Sequence, residues 1–165
     1  MKIKKLLFVA VAVVGGTLFS KAANAQAFAE IQLYENNFGD VSHPCGVFGS
    51  IAATQPATVN NPYYSIALGG TANLKNFLLH PTASFTSIND RARSGKLSGT
   101  AGRSVTVFDS PDGKTNDDYT VIEFKTTVTG YYLDTFEKNY EDSNVKVTYV
   151  RKNGLDGKVS AIRIQ

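Results

Sequence analysis

Ile31-Gln32-Leu33-Tyr34-Glu35 with Gly39 returns later in the chain as Val105-Thr106-Val107-Phe108-Asp109 with Gly113. Apolar falls on apolar, aromatic on aromatic, acid on acid and glycine on glycine. A second correspondence follows in the same order, Asn89 to Leu97 (N-D-R-A-R-S-G-K-L) against Asp156 to Ile164 (D-G-K-V-S-A-I-R-I). A fold for this chain must therefore accommodate one motif twice, which constrains it more than any composition. Ser98 to Ser104, small, mostly polar and glycine-containing, reads as the linker between two copies packed face to face.

The motif is a β motif. Ala29 to Tyr34, Val105 to Phe108, Val145 to Val150 and Val159 to Ile164 alternate apolar and polar residues and are rich in β-branched and aromatic side chains, the pattern of half-buried strands. Tyr63 to Leu68 and Tyr119 to Thr127 are further strand candidates. Asn153-Gly154-Leu155-Asp156-Gly157 carries turn residues that tolerate positive φ, so the last two strands are expected to pair as a hairpin. Asn73 to Leu79 is the one short helical turn, stopped by His80-Pro81. Ser42 to Asn61, with Pro44, Pro56 and much Ala, Thr and Asn, reads as an insertion loop closed by Pro62. The expectation is an all-β, two-sheet sandwich.

Residues 1–25 read as a signal peptide. Lys2, Lys4 and Lys5 precede an apolar run from Leu6 to Val14, and Ala23-Asn24-Ala25 supplies the small-x-small cleavage pattern, placing the mature start at Gln26. The stretch from Leu6 to Phe19 is shorter than the ~20 apolar residues that span a bilayer and contains Gly15-Gly16. No membrane span is expected in residues 26–165, and the expected location is periplasmic or secreted. The leader holds four of the seventeen basic side chains and no acid, leaving thirteen basic against fourteen acidic, a net charge of −1. That balance gives no support to a nucleic-acid surface. Cys45 is the single cysteine, so it reads as a small buried hydrophobe or as the link of a Cys45-bridged dimer.

Leu33-Tyr34-Glu35-Asn36-Asn37-Phe38-Gly39 and Val107-Phe108-Asp109-Ser110-Pro111-Asp112-Gly113 resemble the openings of the two Greek-key motifs of the βγ-crystallin superfamily. In that family an aromatic covers a folded hairpin whose glycine takes positive φ. The motifs then end in an Asn/Asp-Asn/Asp-x-x-Ser/Thr-Ser run leading into a final strand. The resemblance implies a Greek-key sandwich over 26–165, motif A covering about 29–97 and motif B about 104–165. Phe38 directly precedes Gly39, where the family leaves one residue between, and Gly113 has no neighbouring aromatic.

The resemblance also implies calcium. Family members bind Ca²⁺ across the two motifs through these Asn/Asp and Ser/Thr positions, oxygen donors suited to a hard cation. Carried over, Asn89, Asp90 and Ser94 fit one site, and Asp156 and Ser160 the other. Arg93 stands where a hydroxyl ligand is usual, and either points away or abolishes its site; Gly157 and Ala161 remove oxygens from the second. Any Ca²⁺ affinity is therefore expected at the weak end, about 10⁻⁴ to 10⁻³ M, or absent, these Asn, Asp, Gly and Ser residues then serving only as turn formers.

Little in the sequence carries catalysis. His43 and His80 are the only histidines, His43-Pro44-Cys45 lacks an evident orienting group, and no phosphate loop, nucleophile elbow or His-Glu-x-x-His segment occurs. Glu123, Asp134, Glu137, Glu141 and Asp142 would matter as a glycosidase pair only if two converged in a cleft. Phe124, Tyr131, Tyr132, Phe136, Tyr140 and Tyr149 read as core and cross-strand packing. The expectation is a non-enzymatic exported domain with a structural or recognition role, its partner a protein or a glycan. The alternative is a secreted inhibitor or toxin-like effector that engages a partner protein through the 42–61 loop.

Overall fold

The computed structural model describes residues 27–39, 42–50, 63–77 and 87–165. Residues 1–25, expected to be a leader, the cleavage point expected after Ala25, most of the 42–61 segment and His80-Pro81 lie outside the described residues. Among the described residues eleven strands form two sheets that share one apolar core. In chain order they are β1 (Ala29–Tyr34), β2 (Pro44–Gly49), β3 (Tyr63–Ser65), β4 (Thr71–Asn73), β5 (Ser94–Gly99) and β6 (Ser104–Phe108). There follow β7 (Tyr119–Phe124), β8 (Val128–Leu133), β9 (Tyr140–Glu141), β10 (Val145–Val150) and β11 (Ala161–Ile164). The order is β3-β2-β1-β5-β8 in one sheet and β4-β11-β6-β7-β10-β9 in the other. The expected all-β sandwich is what the chain forms. Among the described residues no helix is long and apolar enough to cross a membrane.

Alternation decides which face each strand buries. Ala29, Ile31 and Leu33 of β1 are fully buried while Glu30 and Gln32 between them are not; in β10, Val145 and Val147 are buried and Lys146 is exposed. Val105, Val107, Ile122, Phe124, Ile162 and Ile164 complete the core from the second sheet. At roughly 1.5–3 kcal/mol for each large apolar side chain taken from water, these rows hold the two sheets together.

The halves are more interlaced than two copies laid face to face. β4, from the first half, closes the edge of the second sheet against β11, and β8, from the second half, closes the edge of the first against β5. Within each half the closing strand lies beside the opening one, β5 beside β1 and β11 beside β6. The sequence repeat therefore maps β1 onto β6 and β5 onto β11. Arg163 fastens the loan of β4. Its guanidinium donates to Thr71 Oγ1 (2.9 Å) and to the carbonyl of Gly113 (2.8 Å), and it lies over the Phe108 ring at 4.8 Å.

Several sequence expectations need correction. The last two strands do not form a hairpin: β10 pairs with β7 and β9, whereas β11 pairs with β4 and β6. The 151–160 segment instead crosses the ends of β6 and β7, pinned by Asp118, whose carboxylate accepts the backbone N–H groups of Lys152, Asn153 and Gly154. Pro44–Gly49 is not loop but β2, hydrogen-bonded between β1 and β3. Ser98 and Gly99 belong to β5 and Ser104 to β6, which shortens the linker. The helical turn is a 3₁₀ turn over Leu74–Asn76, capped by the Asn73 side chain on the Lys75 N–H at 3.0 Å. Gly113 takes φ 64° as expected, but in the first half Phe38 itself takes φ 64°.

Candidate metal centre at the junction of the halves

Strand exchange brings the segment before β5 against the segment before β11, and the two follow the same path. The Arg93 N–H donates to the Tyr34 carbonyl (2.9 Å), and its counterpart Ser160 N–H to the Phe108 carbonyl (2.7 Å). Asp90 and its counterpart Gly157 both adopt the left-handed conformation, φ 59° and 66°. Asp accepts that conformation because its short polar side chain can bond locally.

At the first junction the Asp90 N–H donates to the Val159 carbonyl (3.1 Å), and the Ser160 hydroxyl donates to Asp90 Oδ1 (2.7 Å). Asp90 is exposed and Ser160 buried, so a carboxylate at the surface sits above a buried hydroxyl from the other half. At the second junction the equivalent place is filled. Arg93 forms an ion pair with Asp156, and a Cβ on Gly157 would lie 3.1 Å from an Arg93 guanidinium nitrogen. Arg93 thus does not point away. A divalent ion ~4 Å from that guanidinium would be repelled by roughly 8 kcal/mol at an effective dielectric of ~20. The first junction thus presents a carboxylate and a hydroxyl, and the second an ion-paired cation.

Of the other residues expected at these sites, Ser94 is fully buried and gives its hydroxyl to the Asn36 carbonyl at 2.5 Å. Asn89 keeps a buried Oδ1 without a hydrogen-bond partner. Asp156 is further held by its N–H, which donates to Glu137 Oε1 at 2.8 Å.

Three acids that sequence reasoning did not assign to a site stand close by. Carboxylate oxygens of Asp109, Asp117 and Asp118 lie within 4.8 Å of one another. Burial raises the Asp109 pKa, and Asp117, Asp118 and Asp90 add to the rise against the opposing effect of Lys158. Asp109 is the counterpart of Glu35, which is neutralised by Arg91 at 2.6 Å; the repeat was the signal that could have singled it out. Asp118 is fully buried and already occupied by the N–H groups of Lys152 and Asn153 (both 2.8 Å), that of Gly154 (3.0 Å) and the Tyr149 hydroxyl (3.2 Å). Burial pulls its pKa up, but these donors outweigh it and leave the group lowered to about 2. Asp118 therefore anchors the crossing loop, and Asp117 helps to hold it, its Oδ1 accepting from the Asp118 N–H (3.0 Å) and from Asn153 Nδ2 (3.1 Å).

The groups weighed for catalysis are placed as follows. Cys45 is buried, and burial pushes its thiol up to about 12, disfavouring the thiolate that attacks or binds metal. His43 Nδ1 meets Ser42 Oγ at 2.7 Å and Asn36 Nδ2 at 3.3 Å. Asp134 faces Lys138, Glu137 accepts from the Leu155 and Asp156 N–H groups, and Asp142 accepts from Tyr131, Tyr140 and the Asn144 and Val145 N–H groups. Glu123 and Glu141 line one open groove, each beside a lysine. Phe124 and Phe136 are core; Tyr131, Tyr140 and Tyr149 pack against it, and Tyr132 is half exposed.

Comparison with protein-family models, curated proteins and solved structures finds no match.

Proposed function

We propose that this chain is an exported, non-enzymatic domain of the βγ-crystallin type with a structural or recognition role, binding one Ca²⁺ weakly at the Asp90–Ser160 junction. The observation that carries the reading is the hydrogen bond from the Ser160 hydroxyl to the Asp90 carboxylate, oxygens of opposite halves brought together in a fold where each half lends a strand to the other's sheet. Asp90 would supply the charged oxygen and Ser160 a neutral one, with Asp109 adding to the negative potential. Bound there, the ion would tie the first half to the second. The second junction already contains a cation, Arg93, and is expected to take none.

Calorimetric titration of Ca²⁺ into the chelator-treated chain, with thermal unfolding at both ends of the titration, tests the reading. One equivalent of heat with a rise in Tm supports it, because a ligand that prefers the folded state stabilises it. Absence of heat and of any shift at millimolar Ca²⁺ removes the metal from the proposal.

A further inference from the structure

One end of the second sheet carries a groove of about 320 Å³, within the range of small-ligand sites. Strand register builds its floor: Ser104 of β6 is opposite Glu123 of β7, Glu123 opposite Lys146 of β10, and Lys146 opposite Glu141 of β9, so these side chains stand in one row on one face. Arg103, in the turn before β6, forms one wall and Lys125 another.

The charges in this row are unequally engaged. Lys125 is engaged, donating to Glu141 Oε1 and to the Asp142 carbonyl, both at 2.8 Å. Glu123 has only Lys146, at 3.8 Å, beyond hydrogen-bond length. The Arg103 guanidinium and the Ser104 hydroxyl have no side-chain partner among the described residues. The open end of the groove therefore presents a planar cation and a hydroxyl on one side and an under-used carboxylate on the other.

We propose that this groove binds a sugar carrying a carboxylate, a uronic-acid type of ligand, independently of the calcium junction. The guanidinium fork of Arg103 matches a carboxylate bidentately, Ser104 donates a further bond, and Glu123 accepts from ring hydroxyls. Arg103, Lys125 and Lys146 face Glu123 and Glu141 in the lining, so the mixture of charges suits a ligand that carries a single carboxylate beside neutral hydroxyls. Phe124, the one large apolar residue of the lining, is only 2 % exposed, so a peptide would find no exposed aromatic or branched side chain here to pack against.

The test is an NMR titration of the chain with trigalacturonate and, separately, with a neutral trisaccharide, an Asp-Glu-Asp peptide and sodium acetate. Saturable amide shifts at residues 102–104, 123 and 146 with the uronate are expected, and Arg103→Gln should weaken binding about tenfold, the loss of one charged hydrogen-bonding group. Glu123→Gln should also weaken the uronate, whose ring hydroxyls Glu123 accepts from. The proposal is overturned by absence of saturation up to about 10 mM, by acetate or peptide binding as well as the uronate, or by Arg103→Gln leaving affinity unchanged in a chain whose spectrum shows it folded.

Discussion

Ser160 donates its hydroxyl to Asp90 Oδ1 across 2.7 Å, joining a residue that precedes the last strand to one that precedes β5, in the other half of the chain. Ser160 is 3 % exposed, so removing the hydroxyl deletes a bond that water replaces poorly. Ser160→Ala is expected to cost about 1–2 kcal/mol in denaturant unfolding. Asp90→Asn keeps an oxygen for Ser160 and should unfold nearly as the parent does. In both variants the Ca²⁺-dependent rise in Tm should shrink or vanish; a rise that survives in Asp90→Asn would place the ion elsewhere.

The Arg93–Asp156 pair is its counterpart in position but not in energy. Both side chains are 40 % exposed, and pairs so open to solvent contribute about 0.2–1 kcal/mol. Arg93→Ala should therefore lose less than about 1 kcal/mol. Arg93→Ser with Gly157→Asp copies the first junction onto the second, and the backbone permits it because Asp90 already adopts the conformation Gly157 has. Titration of that double variant should show a second equivalent of Ca²⁺, and a stoichiometry unchanged from the parent would refute the equivalence of the two junctions.

Much of the sandwich could be read from residues because β1 and β10 alternate strictly and each buries one face. β2 escaped that reading: Pro-Cys-Gly-Val-Phe-Gly has no alternation, since Cys45 to Gly49 are buried on both faces, and Gly49 leaves room for the Tyr63 ring, which a Cβ would strike. β8 escaped because Gly130, at φ 68°, interrupts Val128–Leu133. The false hairpin had another origin. Asn153 to Gly157 is a turn, as its composition says, but its direction is set by Asp118 and Glu137, remote in sequence. At the site the repeat located the residues and not their partners. The sequence reading grouped Asp90 with Ser94 and Asp156 with Ser160, whereas Asp90 meets Ser160 and Asp156 meets Arg93. Strand exchange between halves is a property of topology, invisible to spacing within either half.

Phe38 holds φ 64° with 81 % of its surface exposed, the φ that Gly113, the counterpart of the next residue Gly39, takes in the second half. A non-glycine residue in that region costs about 1–2 kcal/mol, and an exposed ring recovers almost none of it through packing. Phe38→Gly is therefore expected to raise stability by about 0.5–1 kcal/mol after the added freedom of glycine in the unfolded chain is counted. Thermal unfolding should show a Tm higher by roughly 2–4 °C. A lower Tm would mean that the ring packs against the chain in solution.

Acid should unfold this domain through Asp118. Its folded pKa is lowered to about 2 from an ordinary 3.8, so its contribution to stability is fully present above the unfolded value and is lost as pH falls through that value toward 2. Asp142, also held near 2, mainly by the Val145 N–H against a smaller effect of burial, acts in the same window and with the same sign. Asp118→Asn retains part of the acceptor capacity but loses the charge, and should flatten the fall in stability between about pH 4 and pH 2 while lowering stability at pH 7. Asp118→Ala leaves three N–H groups of the crossing loop without their acceptor, and should cost about 3 kcal/mol or more at neutral pH. Denaturant midpoints recorded across pH for the parent and both variants decide the matter. If the acid limb of Asp118→Asn runs parallel to the parent's, protonation of some other carboxylate drives acid unfolding.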